Sequence, residues 1–310
     1  VKIYDIVTFG DLCVDLIMTG GDIVPRFGQV ERLVDAYDLE MGGSCSIFAC
    51  QAAKLGLRVG ILGRVGADSF GRLILERLAA CGVDTGSVRV DPTLKTGLGL
   101  ALCKDGDRAI LTYLGSLSAL RVDDVTDEFL ASARHLHYGS FFLHTGLKPH
   151  APAIVRRARD LGLSVSLDTN WDPEEKWNST LHEILPMVDV LLPNEQEACY
   201  ISRRESVGEA AAELRRQGVS LVVVKRGAAG AEVFTAEGHT RREVPPAEAG
   251  GDSIGAGDSF DAGFLAGWLR GWDVERSLAA ACLCGRSVAG SVGGLLGQPS
   301  WDAIVSRINL

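Results

Sequence analysis

The stretch GDSIGAGDSFDAGFLAGWL, residues 251–269, gathers residue types that could do chemistry. Gly255, Ala256 and Gly257 stand directly before an acid, Asp258, and an apolar run with helical spacing follows. A glycine-rich turn at a helix start offers successive backbone N–H groups, reinforced by the helix dipole, to anionic oxygens. Gly255 and Gly257 let that backbone approach a phosphate with no Cβ in the way. A carboxylate in the same turn would repel a bound anion. It makes sense where Asp258 faces an incoming hydroxyl, taking its proton while the N–H groups stabilise charge on a transferred phosphoryl group. The plainer reading is that Asp258 caps a helix over 258–271, and the turn alone does not separate the two.

Other uses of the motif fit less well. A dinucleotide fingerprint needs Gly at its sixth position, which here is Phe260. A P-loop needs Gly-Lys, a dipeptide this chain lacks. Ser259 in GDSF would need a downstream histidine to act as a nucleophile, and the last histidine is His239. Ser259 therefore reads as a small residue of the helix start.

The elements that must hold this turn alternate strand with helix. Strands are expected at 4–10, 58–66, 135–141, 163–168, 188–193 and 219–225. Helices are expected at 44–56, at 68–82 with Asp68 as cap and Gly82 as stop, and at 205–217. Such alternation implies an α/β fold of three layers, a mostly parallel central sheet covered by helices on both faces. Segments 12–41 and 95–115 break the rhythm; the second reads as two short strands around KDGD, residues 104–107. The expectation is one domain over 1–310 with a small β-sheet lid formed by these two insertions. Ligands of open α/β sheets bind beyond the strands' carboxyl ends, where helix N-termini converge.

Composition narrows the classes. The 310 residues are 46% hydrophobic and carry a net charge of −9, so neither nucleic acid nor a membrane surface is an expected partner. Of 31 basic residues 24 are Arg, scattered rather than run together. The eight cysteines, at 13, 45, 50, 81, 103, 199, 282 and 284, form no CxxC and read as reduced core thiols. The first residues, VKIYDIVTFG, read as a strand rather than a signal peptide, and no apolar run is long enough to span a bilayer, so a cytoplasmic location is expected.

Four segments together resemble one family. DSIGAGDSFDAGFLAG resembles the C-terminal signature of the ribokinase-like (PfkB) carbohydrate kinases, and MGGSCSIFACQAAKLGLRVGILGRVGADSFGRLI (41–74) resembles their first signature. LLPNEQEA (191–198) resembles their N-x-x-E segment, and VKRGAAGAEVF (224–234) their nucleotide segment. The resemblance covers essentially the whole chain. It implies an ATP- and Mg²⁺-dependent kinase acting on a hydroxyl of a small sugar or sugar derivative, with a nucleoside acceptor as the alternative. A non-catalytic sugar- or nucleotide-binding relative is the rival from another class.

Carried over by position, the resemblance makes Asp258 the catalytic base and Gly255, Ala256 and Gly257 the anion hole. Asn194 and Glu197 would arrange Mg²⁺ and its waters, and Lys225, Gly227 and Gly230 would lie along the nucleotide. Asp252 would sit near a monovalent cation site, which implies possible activation by K⁺. Asp15, Asp168 and Asn170 would line the acceptor site, and Gly42 and Gly43 would form the hinge of the lid; the role of Asp11 is open. Departures from the pattern fall at Ile47 and Cys13, where polar residues are usual, at Lys225 and Arg226, and at Trp171 and Asp172, where the usual Arg is missing. Ile47 points away from ribose itself, towards another sugar, a sugar derivative or a nucleoside. Phe141, Phe142 and Trp171 could line a nucleoside pocket. Exposed lid edges imply a possible homodimer.

Overall fold

The computed structural model describes residues 2–104, 107–178, 180–245 and 253–308. Its strands are β1 (Tyr4–Phe9), β2 (Cys13–Thr19), β3 (Ala36–Gly42), β4 (Val59–Gly66), β5 (Asp84–Asp91), β6 (Gly97–Lys104), β7 (Asp107–Tyr113), β8 (Ala133–Tyr138), β9 (Ser164–Leu167), β10 (Val190–Leu191), β11 (Leu221–Lys225), β12 (Ala231–Phe234) and β13 (His239–Arg242). Its helices are α1 (Ser44–Lys54), α2 (Ser69–Ala80), α3 (Asp127–Ala131), α4 (Ala151–Asp160), α5 (Leu181–Ile184), α6 (Glu195–Ser202), α7 (Val207–Arg216), α8 (Ala256–Trp268), α9 (Val274–Ala289) and α10 (Trp301–Ile308).

Apolar residues occupy consecutive positions of the central strands because neighbours point to opposite faces and both faces are covered. Val7, Leu62, Leu191 and Val222 join one core with α3 to α7. Ile6, Ile61, Val190 and Val223, one position away, join the other core with α1, α2 and α8 to α10. The nine-stranded sheet between them runs β13-β12-β11-β10-β9-β8-β1-β4-β5. Strands β5 to β11 in that order are parallel, and the β12–β13 hairpin closes one edge antiparallel. This is the three-layer architecture expected from the strand–helix rhythm.

A second sheet of four strands runs β3-β2-β6-β7. Its register sets two chemically distinct faces. Glu40, Asp15, Gly99 and Thr112 align on one face, and Leu39, Leu16, Leu100 and Leu111 align on the other. Asp68 caps α2 by accepting from the Gly71 N–H at 2.8 Å, and Gly82 takes the left-handed conformation just beyond its end, as expected.

Strands β5, β12 and β13 were not anticipated. β5, DTGSVRVD, is an exposed edge whose polar sequence lacks an alternating apolar face. Among the described residues no helix is long and apolar enough to cross a membrane.

Candidate active site

The carboxyl ends of β1, β8, β9, β10 and β11 lead directly into the residues singled out from the sequence. A cavity of about 1040 Å³ opens there, lined by Asp15, Gly43, Asp168, Asn170, Asn194, Glu197, Lys225, Gly227, Gly255, Gly257 and Asp258. One face of the second sheet supplies part of its wall through Asp15, Gly99, Ala101, Ile110 and Thr112. Gly42, Ala256 and Gly230 are not among the lining residues. Asp252 lies outside the described residues.

The helix beginning at this cavity is α8, with Gly255 as its cap residue in the left-handed conformation, φ +72°. A Cβ on Gly255 would lie 2.6 Å from the Gly294 Cα and 2.9 Å from the Ile47 Cγ2, so the turn accepts only glycine. Asp258 belongs to the first turn of α8, and Gly255 makes no side-chain cap. The plain capping reading is therefore not needed to explain the acid. Burial first, then the neighbouring charge of Asp168, pushes the Asp258 carboxyl up to about 7, against the opposing pull of Lys225 and a hydrogen bond from Ser44.

A polar network holds Asp258 in place. Asn170, at φ +52°, donates from Nδ2 to Ser44 Oγ at 2.7 Å and to Ser140 Oγ at 2.8 Å. Ser140 donates in turn to Asp11 Oδ2 at 2.7 Å. Asp11 also accepts the Ser44 and Cys45 N–H groups at 2.8 and 2.9 Å, so it caps α1 from the end of β1. The role left open for Asp11 is thus positional: it ties β1, α1 and the β8 end together at the cavity floor.

Asp168, expected beside the acceptor, lines the cavity and also holds a cation. Its Oδ2 takes a 2.8 Å ion pair from Lys225 Nζ, and its Oδ1 accepts the Asn170 N–H at 3.0 Å. Lys225 Nζ also lies 3.2 Å from both oxygens of Asp261, a fully buried residue of α8. Burial raises Asp168, but Lys225 and a hydrogen bond from Asp261 outweigh it and bring the carboxyl down to about 2. Burial, the largest cause, drives Asp261 well above the usual carboxylate range, against the pull of Lys225. The sequence signal for Asp261 was its position one helical turn after Asp258. Lys225, expected along the nucleotide, lines the cavity, and its ammonium pairs with these two acids.

Asn194 and Glu197 form a reciprocal cap on α6: each side chain accepts the other's backbone N–H at 2.8 Å. A cap needs no burial, yet Glu197 is buried in the cavity wall. Burial and then Asp168 push it up to about 7. A carboxyl so poised suits a nearby cation, and the amide and acid together form an oxygen-rich donor set appropriate to hydrated Mg²⁺. Gly227, at φ +53°, has nothing within 4 Å of a built Cβ and leaves the backbone open to a ligand. Gly230 serves the turn: a Cβ there would lie 1.9 Å from the Arg242 carbonyl.

The glycines expected as a hinge have steric tasks. Gly42 is the last residue of β3, and a Cβ there would meet the Asp15 carboxylate at 2.3 Å. Gly99, paired with Asp15 across β2–β6, would meet it at 2.4 Å. The two glycines flank the acid and make room for it. Gly43 precedes α1 at φ +84°, with the Asp11 carbonyl 1.9 Å from a built Cβ. Ile47 is buried with Ile17, Ala101 and Ile254, joining the second sheet to the segment before the Gly255–Gly257 turn. Of the three aromatics, Phe142 and Trp171 line the cavity, and Phe141 is buried beside Tyr138 in the core.

Residues 4–301 match the model of the pfkB family carbohydrate kinases. An ATP-dependent ribose-1-phosphate kinase of Halopiger xanaduensis is 33% identical over 275 residues, 86% of each chain. A 2-dehydro-3-deoxygluconokinase of Bacillus subtilis is 26% identical over 287 residues, 89% of each. A solved Escherichia coli protein assigned as ribokinase II, in complex with ATP and Mg²⁺, superposes with a TM-score of 0.86 at 26% identity, covering 99% of both chains. The chain belongs to the pfkB family of carbohydrate kinases. It is an ATP-dependent phosphotransferase that acts on a sugar hydroxyl.

Proposed function

We propose that Asp258 is the general base of this kinase and that the Gly255–Gly257 turn holds the phosphoryl group being transferred. The observation that carries the reading is the carboxyl of Asp258, half-buried in the first turn of α8 where it lines the cavity beside the left-handed Gly255, and raised to about 7. ATP supplies the phosphoryl group. Asn194 and Glu197 would hold Mg²⁺ through its waters, and Gly227 gives the nucleotide an approach to backbone. Asp258 receives the acceptor's hydroxyl proton as the new O–P bond forms and the bond to the β-phosphate oxygen breaks, its electron pair leaving on ADP. The N–H groups of the turn meet charge on the phosphoryl oxygens.

For the acceptor we propose a small sugar bearing an anionic group. Two similar relatives are named for such acceptors, a sugar phosphate and a sugar acid. Arg108 and Lys148 line the cavity alongside Asp15, and Ile47 is apolar where a neutral-sugar contact was expected. Phe142 and Trp171 in the lining keep a nucleoside as the second reading. A second copy of the chain is proposed to cover the outer leucine face of the four-stranded sheet.

One experiment tests the base and the acceptor together. ADP release is followed with ribose 1-phosphate, 2-dehydro-3-deoxygluconate, ribose, fructose and nucleosides, for the parent and Asp258→Asn. The expected result is the highest kcat/KM on an anionic sugar and a loss of about 10²–10⁴ in turnover for Asp258→Asn with ATP binding retained. Preference for a neutral sugar or a nucleoside would overturn the acceptor assignment, and near-parental turnover of Asp258→Asn the base.

A further inference from the structure

Lys225 stands at the centre of the site's charges. Its Nζ lies 2.8 Å from Asp168 and 3.2 Å from Asp261, with only 13% of the side chain exposed. Its charge also acts on Glu197 and Asp258. An ion pair this buried adds little stability over apolar packing, because desolvation offsets the attraction. Stability alone is thus a weak reason to place a lysine here. The geometry gives a better one. A Cβ built on Gly257 would find the Lys225 Nζ at 3.7 Å, with the Lys225 Cδ next at 4.0 Å. The ammonium therefore borders the Gly257 end of the turn from the β11 side, where the strand ends and the cavity begins.

Resting on the phosphoryl-transfer reading above, we infer that Lys225 is a further catalytic residue, an ammonium held by Asp168 and Asp261 against the phosphoryl group as it crosses the Gly255–Gly257 turn. Three acceptor sites surround it and hold it still. Asp168 holds it at 2.8 Å from one side, and both oxygens of Asp261 hold it at 3.2 Å from the other. A lysine so fixed needs no reorganisation when charge gathers on the phosphoryl oxygens. The bonds made and broken are those of the transfer itself: the acceptor oxygen joins phosphorus, the ADP oxygen leaves with its electron pair, and the hydroxyl proton goes to Asp258. Lys225 keeps all its protons throughout and acts by charge and hydrogen bonding. The acid pair has a second effect. It draws Lys225 away from solvent and keeps it from pairing with Asp258, so that the base remains available to the acceptor.

The test compares Lys225→Met, Lys225→Arg and the charge-balanced pair Lys225→Met/Asp168→Asn, which keeps a folded protein in hand should the single variant leave a buried charge it cannot tolerate. Calorimetry measures the affinity for Mg·ADP alone and for Mg·ADP with aluminium fluoride and acceptor, a mimic of the phosphoryl group in transit. The expected result is a loss in kcat of about 100-fold or more in both Met variants, with the KM for ATP changed less than about threefold. The affinity for the fluoroaluminate complex falls by a similar factor, and that for Mg·ADP is unchanged. Lys225→Arg is expected to recover part of the loss. A folded Met variant with kcat within about threefold of the parent would overturn the inference, as would equal losses in Mg·ADP and fluoroaluminate affinity. Asp258→Asn runs beside them: if it keeps its turnover, the proposed assignment of base and phosphoryl site fails and the inference with it. If it loses turnover and the Lys225 variants do not, only the inference fails.

Discussion

At the scale of single residues, burial and neighbouring charge shift the acids of one cavity in opposite directions. Lys225 brings the Asp168 carboxyl down to about 2 against burial, whereas burial raises Asp258 and Glu197 to about 7. A base near neutrality is well matched to taking an alcohol proton at working pH. The same shift has a stability consequence. The folded carboxyl of Asp258 is raised above its unfolded value of about 3.9, so ionisation favours the unfolded chain progressively between about pH 4 and pH 7 and fully above that. Asp258→Asn, which cannot ionise, is expected to melt at the parent's temperature near pH 4 and several degrees above it at pH 8. The limiting difference is about 4 kcal/mol. The parent's kcat/KM is expected to rise through about pH 7 on its acid limb. Melting curves of both proteins across that range check the first expectation; an Asn variant less stable than the parent at pH 8 would contradict it.

At the scale of elements, register decides which residues can meet. β2 lies between β3 and β6, and only glycine at 42 and at 99 leaves space for the Asp15 carboxylate between them. Gly99→Ala puts a methyl group 2.4 Å from Asp15 Oδ1, so the acid must turn out of its place. The expected effect is an acceptor KM raised about tenfold or more, with the KM for ATP unchanged, since the proposed nucleotide side of the cavity lies on β10, β11 and α8. Steady-state kinetics with each substrate varied in turn reads the split directly. An equal change in both constants would place Asp15 outside the acceptor site. The same logic applies to α1, whose N-terminus is fixed by Asp11 and whose Ser44 reaches Asp258.

At the scale of the whole molecule, the four-stranded sheet has two jobs for its two faces. The inner face supplies Asp15, Ala101 and Ile110 to the cavity, and Ile17 and Ala101 pack with Ile47 and Ile254 beside the Gly255–Gly257 turn. The outer face exposes Tyr37 at 70%, Leu111 at 63% and Tyr113 at 53%. Apolar area of that kind on a regular sheet is well suited to a self-complementary contact about a two-fold axis. The proposed dimer predicts that light scattering gives twice the chain mass for the parent and that Leu111→Arg shifts the protein to a monomer with its fold retained. A monomeric parent at micromolar concentration would remove the proposal without touching the chemistry of the cavity.

Local sequence determined the strand–helix rhythm, the cap and stop of α2, and the glycine turn with its acid, because helical and strand periods and turn chemistry act within a few residues. The resemblance added order to the site residues. Tertiary structure alone decided what those residues touch. Nothing local says that Lys225 turns towards Asp168 and Asp261, that Gly42 and Gly99 clear space for Asp15, or that β5 forms an edge from a polar sequence. Each depends on register and packing between segments tens of residues apart. The raised carboxyl of Asp258 has the same origin: burial and remote charges set it, and neither exists until the chain has folded.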